Sequence, residues 1–155
     1  MYKRIITVIL ICMSVGFTTT AQSGNGHMKH KKQLQTGNLV KHHVVIQLSS
    51  SDTLDWKGLM GNIKHLKEKW ADSISIEVVA HSGGIEMLML KKTTQQKNIT
   101  AFKTMGVVFV GCENTMRQKN ITKDEIIPEA GFVPSGVGEI IIKQEQGWSY
   151  LKAGL

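Results

Sequence analysis

The sequence predicts a single α/β domain built on a mainly parallel five-stranded sheet with helices on both faces. Two observations carry that reading. From His42 onward, short runs rich in β-branched residues alternate five times with segments of helical period or helix-start chemistry. The length of 155 residues, with 41% hydrophobic and 20% charged, suits one core closed without disulfide or metal staples. That balance excludes disorder, whose mark is low hydrophobicity with high net charge.

The N-terminal segment is processing rather than fold. Lys3 and Arg4 form a short positive region, Ile5–Phe17 is an uncharged apolar run, and Thr18–Ala21 supplies small residues. This is the three-part pattern of a secretory signal, cut after Ala21. The apolar run is shorter than the ~20 residues a membrane-spanning helix needs, so cleavage is expected over anchoring. The mature protein is then periplasmic or secreted, without stable membrane insertion. Losing Lys3 and Arg4 takes the basic residues from 19 to 17 against 12 acidic, and the formal charge from +7 to +5. The lysines are scattered, so nucleic acid is not an expected partner. One dense cluster, His27-Met28-Lys29-His30-Lys31-Lys32, falls in the polar stretch Gln22–Lys41. It reads as the solvated part of a flexible linker, with contact to a polyanion or anionic lipid as the other reading.

Cleavage also removes Cys12 and leaves Cys112 as the one thiol. A lone thiol in an exported chain is buried and inert, paired with another chain, or reactive.

In the domain, His43–Leu48 reads as the first strand. Ser51 or Asp52 can cap the next helix, where Trp56, Leu59, Met60, Ile63, Leu66 and Trp70 form an apolar stripe. Ser73–Ala80 is the second strand. After the His81-Ser82-Gly83-Gly84 loop, Ile85–Leu90 looks like the start of a buried helix. Asn98–Met105 is a short helix that Gly106 stops. Val107–Gly111 is the third and most apolar strand, and Cys112–Arg117 begins a helix. Thr122 and Glu125 have capping-box spacing, and Pro128 ends that turn. Phe132-Val133 is a minimal fourth strand. Ser135 caps a last helix running to Gln146, with Val137, Ile140, Ile141 and Gln144 on one face. Gly147 stops it, and Trp148–Leu151 closes the sheet.

Sites in such sheets gather beyond the carboxyl ends of the strands. Cys112 falls there, at a strand-to-helix corner where free N–H groups and the helix dipole favour the thiolate. Glu113 beside it works the other way if its carboxylate is close. Gly111 would let a bulky sulfur electrophile approach. His81, at the end of the second strand, shares that edge and can orient a ligand, share a proton, or bond a loop carbonyl. Ser82-Gly83-Gly84 offers a weak anion cradle. Asn114 and Thr115 are candidate helix caps, and Gln144, Glu145 and Trp148 carry no assignable chemistry. No Cys/His pair has zinc-ligand spacing, and neither a Ser-His-Asp order, a paired-carboxylate signature nor an HExxH motif is present. Asn98-Ile99-Thr100 and Asn120-Ile121-Thr122 fit glycosylation sequons, which matter only in a eukaryotic secretory route.

Three stretches together resemble the DsrE family, which includes the YchN-like oligomers. They are Val78–Leu88 with His81-Ser82-Gly83-Gly84, then Gly106–Met116 with Cys112-Glu113-Asn114-Thr115-Met116, and the tail with Val133-Pro134-Ser135-Gly136-Val137 and Gly147-Trp148-Ser149-Tyr150. The likeness covers about residues 42–153. It implies a homo-oligomer, a trimer or hexamer, in which Cys112 matches the cysteine that carries persulfide sulfur. It further implies that no cofactor is needed. His81, Gly111 and Asn114 are then the candidate pocket around Cys112, with sulfur donor and acceptor unspecified. Two rivals remain at this stage: a non-catalytic oligomeric module binding a small ligand, and a thiol redox sensor.

Overall fold

The computed structural model describes residues 41–154. The expected signal over 1–21, and the linker with its His27–Lys32 cluster up to residue 40, lie outside the described residues.

Five strands form one sheet: β1 (His42–Leu48), β2 (Ile74–Ala80), β3 (Val108–Cys112), β4 (Gly131–Val133) and β5 (Ser149–Ala153). All neighbours are parallel, in the order β4-β3-β2-β1-β5. Between them run helices α1 (Thr53–Trp70), α2 (Gln96–Thr104), α3 (Glu113–Gln118) and α4 (Gly136–Glu145). The chain steps in one direction from β1 to β4, then reverses to place β5 on the far side of β1. A right-handed crossover demands that the reversing helix lie on the opposite face. Accordingly α1, α2 and α3 cover one face, and α4 alone covers the other.

Local sequence accounts for most boundaries. Asp52 caps α1 by accepting from Leu54 N–H at 2.8 Å, and the stripe buries Trp56, Leu59, Met60 and Ile63. Trp56 also donates its indole N–H to Ser50 O at 2.9 Å, so the buried ring leaves no polar atom unpaired. Gly106 and Gly147 follow helix ends at φ +81° and +84°, a backbone that glycine adopts without a Cβ penalty. The expected capping box forms, with Thr122 N–H donating to Glu125 Oε2 at 2.9 Å.

The two faces are unequal. The larger core joins Val44, Ile46 and Leu48 of β1, Ile76 and Val78 of β2 and Phe109 of β3 to the apolar side chains of α1, α2 and α3. The smaller holds Val45, Val79, Val110, Val133 and Ile140, with Trp148 against it. Glu77 is buried on this second face, where Lys143 Nζ meets its Oε2 at 2.7 Å. Burial raises the Glu77 pKa, which Lys143 only partly opposes.

Two expectations need correction. Ile85–Leu90 does not start an α-helix: Ile85–Leu88 ends a 3-10 run, Ser82–Leu88, and Met89 bridges to Ile126. The run is pressed against the end of β1: a Cβ on Gly84 would sit 2.1 Å from Leu48 O, so no side chain fits there. The predicted apolar face of α4 is also turned. Gly136 and Ile140 face inward, while Val137 and Ile141 are 56% and 55% exposed. Gly136 faces His81 and Cys112 so closely that a Cβ there would stand 3.0 and 3.1 Å from their Cβ atoms, a fit that suits this rotation.

Candidate functional site

Three strand ends and the start of α4 meet at one cavity of about 220 Å³, lined by His81, Ser82, Cys112, Asn114, Thr115, Gln118, Ser135, Gly136 and Val137. Cys112 is the last residue of β3 and the N-cap of α3, so its Sγ is placed by the strand and met by the helix. Alternation along β3 puts Phe109 on the large core and Val110 and Cys112 on the opposite side. The residue is only 4% exposed, yet it forms part of the cavity wall.

The sulfur is surrounded by donors. Gly136 N–H donates to Cys112 Sγ at 3.1 Å and Thr115 N–H at 3.5 Å. Burial alone would raise the thiol pKa. The Thr115 hydroxyl and the N–H groups of Thr115, Gly136 and Asn114 outweigh it and bring the thiol below its ordinary value. Glu113, which threatened the opposite effect, is occupied by Lys123 at 2.7 Å. That pairing, chiefly its hydrogen bond, holds the Glu113 carboxyl below its usual range.

His81 sits across the cavity. Its Nε2 lies 2.7 Å from Gln47 Nε2 and its Nδ1 2.9 Å from Ser82 Oγ. Burial lowers its pKa and so favours the neutral ring. Ser82 itself takes φ +50°, a left-handed backbone that costs a residue with a Cβ roughly 1–2 kcal/mol. Its N–H donates to Thr115 Oγ1 at 3.1 Å, which ties the β2 loop to α3.

Of the residues picked from sequence, the cavity brings together His81, Cys112 and Asn114. Asn114 takes part through its backbone: its N–H donates to Pro134 O at 3.2 Å, while its side-chain oxygen accepts from Arg117 rather than capping α3. Gly111 lies elsewhere. It faces the large core, where a Cβ would stand 2.9 Å from Ile85 Cδ1. Its smallness serves the packing of the 3-10 segment and gives no approach to the sulfur.

The Ser82-Gly83-Gly84 cradle is likewise filled by protein. A Cβ on Gly83 would meet Ser51 N at 2.9 Å, and Gly84 N–H donates to His81 O at 2.8 Å. Thr115, Ser135, Gly136 and Gln47 are the residues that sequence reasoning undervalued. The Val-Pro-Ser-Gly-Val segment carried the only hint of Gly136.

A roomier hollow of about 330 Å³, lined by Glu113, Met116, Arg117, Ile121, Thr122 and Lys123, carries no thiol, and its Glu113 is already paired with Lys123. Among the described residues, no three His, Cys, Asp or Glu side chains converge as a metal site would require.

Fold and site together define a small parallel α/β protein with a hydrogen-bonded cysteine beyond the strand ends. Its sequence matches the DsrE/DsrF-like family over residues 51–153, and the chain belongs to that family. No curated protein matches it significantly. Among solved structures it is similar to a protein of unknown function, MTH1491 from Methanobacterium thermoautotrophicum. The two are 29% identical with a TM-score of 0.68, over 72% of this chain and 99% of the other. It is also similar in fold to the YchN protein from E. coli, at 11% identity and a TM-score of 0.52, over 72% of this chain and 98% of that one.

Proposed function

We propose that this protein is an exported carrier of sulfane sulfur, loading it on Cys112 from a persulfide or polysulfide and passing it to a thiol acceptor. The observation behind this reading is the convergence of the Gly136 and Thr115 N–H groups on Cys112 Sγ at the wall of a cavity of small-molecule size.

In the loading step the Cys112 thiolate attacks the outer sulfur of R–S–SH. The donor S–S bond breaks, R–S⁻ leaves with the electron pair, and Cys112–S–SH keeps the proton. In the unloading step an acceptor thiolate R′–S⁻ attacks that outer sulfur, forms R′–S–SH and releases the Cys112 thiolate. Sulfur moves without net oxidation or reduction, so neither step calls for a cofactor. The donors around Sγ favour Cys112 both as attacking and as departing thiolate.

Export and assembly belong to the same reading. Cleavage after Ala21 removes Cys12, and the mature chain then has no second cysteine with which to form an internal disulfide. A homo-oligomer, trimer or hexamer, is consistent with the outward Val137 and Ile141 of α4 and with Val108 of β3, exposed on the same side of the sheet. A monomer by sedimentation at micromolar concentration would remove that part.

The test is intact-mass analysis of the mature protein after incubation with polysulfide or thiosulfate. Gain of one sulfur atom is expected, and its absence in Cys112→Ser. No adduct with either donor, together with slow alkylation of the native thiol, would favour a binding module instead. Oxidation to interchain disulfide alone would favour a redox sensor.

A further inference from the structure

Gln47 of β1 joins Tyr150 of β5 to His81. The Tyr150 hydroxyl donates to Gln47 Oε1, and Gln47 Nε2 faces His81 Nε2 at 2.7 Å. On the other side of the ring, His81 Nδ1 lies 2.9 Å from Ser82 Oγ. The chain of contacts thus runs from the edge strand to the cavity wall.

The protons along it can be assigned. An amide nitrogen only donates, so the His81 Nε2 facing it is the bare, accepting nitrogen. A neutral imidazole then carries its proton on Nδ1, which donates to Ser82 Oγ. Turning the amide over would invert every bond and make the phenol oxygen an acceptor. A phenol donates better than it accepts, which favours the first arrangement. Burial, which lowers the His81 pKa, keeps the ring in the neutral form this assignment needs. Having accepted from His81, the Ser82 oxygen retains its own O–H for the cavity it lines. Its left-handed backbone, φ +50°, is a second sign that this side chain is held in place.

We propose that Tyr150, Gln47 and His81 are positioning residues that fix the Ser82 hydroxyl as a hydrogen-bond donor to the outer sulfur of a Cys112 persulfide. The identity of that acceptor rests on reading Cys112 as a sulfur carrier, whereas the proton assignment does not. Once ionised, the outer sulfur is a nucleophile exposed to stray electrophiles. A hydrogen bond to it lowers that reactivity, and the outer sulfur takes its proton back from water before an acceptor thiolate attacks, so that Cys112–S–SH is the species unloaded. Gln47 and Tyr150 touch neither sulfur and act only through His81.

The test is two-bond proton–nitrogen NMR of the His81 ring in isotopically labelled protein. The wild type is expected to show a protonated Nδ1 and a bare Nε2. In Gln47→Glu the amide donor becomes an acceptor, and Nε2 is expected to become protonated. A wild-type ring protonated at Nε2 overturns the proposal, whether or not Cys112 takes up sulfur. A second arm follows the lifetime of the Cys112 persulfide in Ser82→Gly, which suits the left-handed backbone and removes the hydroxyl. Shortening by about threefold or more is expected, and an unchanged lifetime overturns the role of Ser82. Failure of the wild type to form a persulfide refutes the carrier reading and with it the proposed acceptor, whereas a persulfide on a protein with the opposite tautomer refutes the relay alone.

Discussion

Gly136 N–H donates to Cys112 Sγ at 3.1 Å across 24 residues of chain, so the first turn of α4 and the end of β3 share one hydrogen bond at the sulfur. This contact couples the helix on the thinly covered face of the sheet to the chemistry at its edge.

Gly136→Ala tests that coupling. A Cβ there would stand 3.0 Å from His81 Cβ and 3.1 Å from Cys112 Cβ, atoms anchored to strand ends that yield only if backbone moves. The variant is expected to lose about 1–2 kcal/mol of stability in denaturant titration. Its Cys112 alkylation at neutral pH should slow as the N–H withdraws from the sulfur. Unchanged stability and rate would show that α4 is not held by this contact.

Thr115→Val removes a hydroxyl without changing shape much. The valine cannot donate to Cys112 Sγ and cannot accept from Ser82 N–H. A raised thiol pKa and a stability loss of about 1–3 kcal/mol are expected, the latter for an unpaired buried donor. Thiol titration by alkylation rate checks the first and denaturant titration the second.

The buried Glu77–Lys143 pair sets a pH dependence of the fold. Burial raises the Glu77 pKa above the ordinary carboxylate value, so the native state holds that proton more tightly than the unfolded chain. Its contribution is therefore full in acid below the ordinary value and falls as pH rises through the raised one. Lys143 is raised too: burial would lower it, but Glu77 and Glu139 outweigh burial. Its contribution persists until pH climbs through that raised value. Lys143→Met leaves Glu77 buried without its cation and is expected to cost about 3 kcal/mol near neutral pH. The cost should shrink as pH falls through the raised Glu77 value and the carboxylate protonates. A loss independent of pH would contradict this account of the pair.

Strands and helices were legible in the sequence because their signals are local. The β-branched run His43–Leu48, the Trp56-to-Trp70 stripe, the Asp52 cap and the Thr122–Glu125 box each lie within a few turns of chain. The position of Cys112 at a strand-to-helix corner was legible for the same reason. What escaped depends on distant partners. Gly111, Gly83 and Gly84 looked like openings for a ligand, yet each is small because backbone or Ile85 presses against it from another element. The outward turn of Val137 and Ile141 accompanies the close approach of Gly136 to His81 and Cys112, which no helical period encodes. Gln47 read as an ordinary strand residue, since its link to Tyr150 spans 103 residues.

The central claim is that the fold favours the thiolate of Cys112, and the pH dependence of its alkylation rate in the native mature protein measures that most directly. The account predicts a midpoint clearly below the free-cysteine value of about 8.5. A depressed thiol also adds stability that is present above the unfolded-state value and lost as pH falls through the native one. A midpoint at or above the free value, with alkylation slowed as for a sealed core residue, would contradict it.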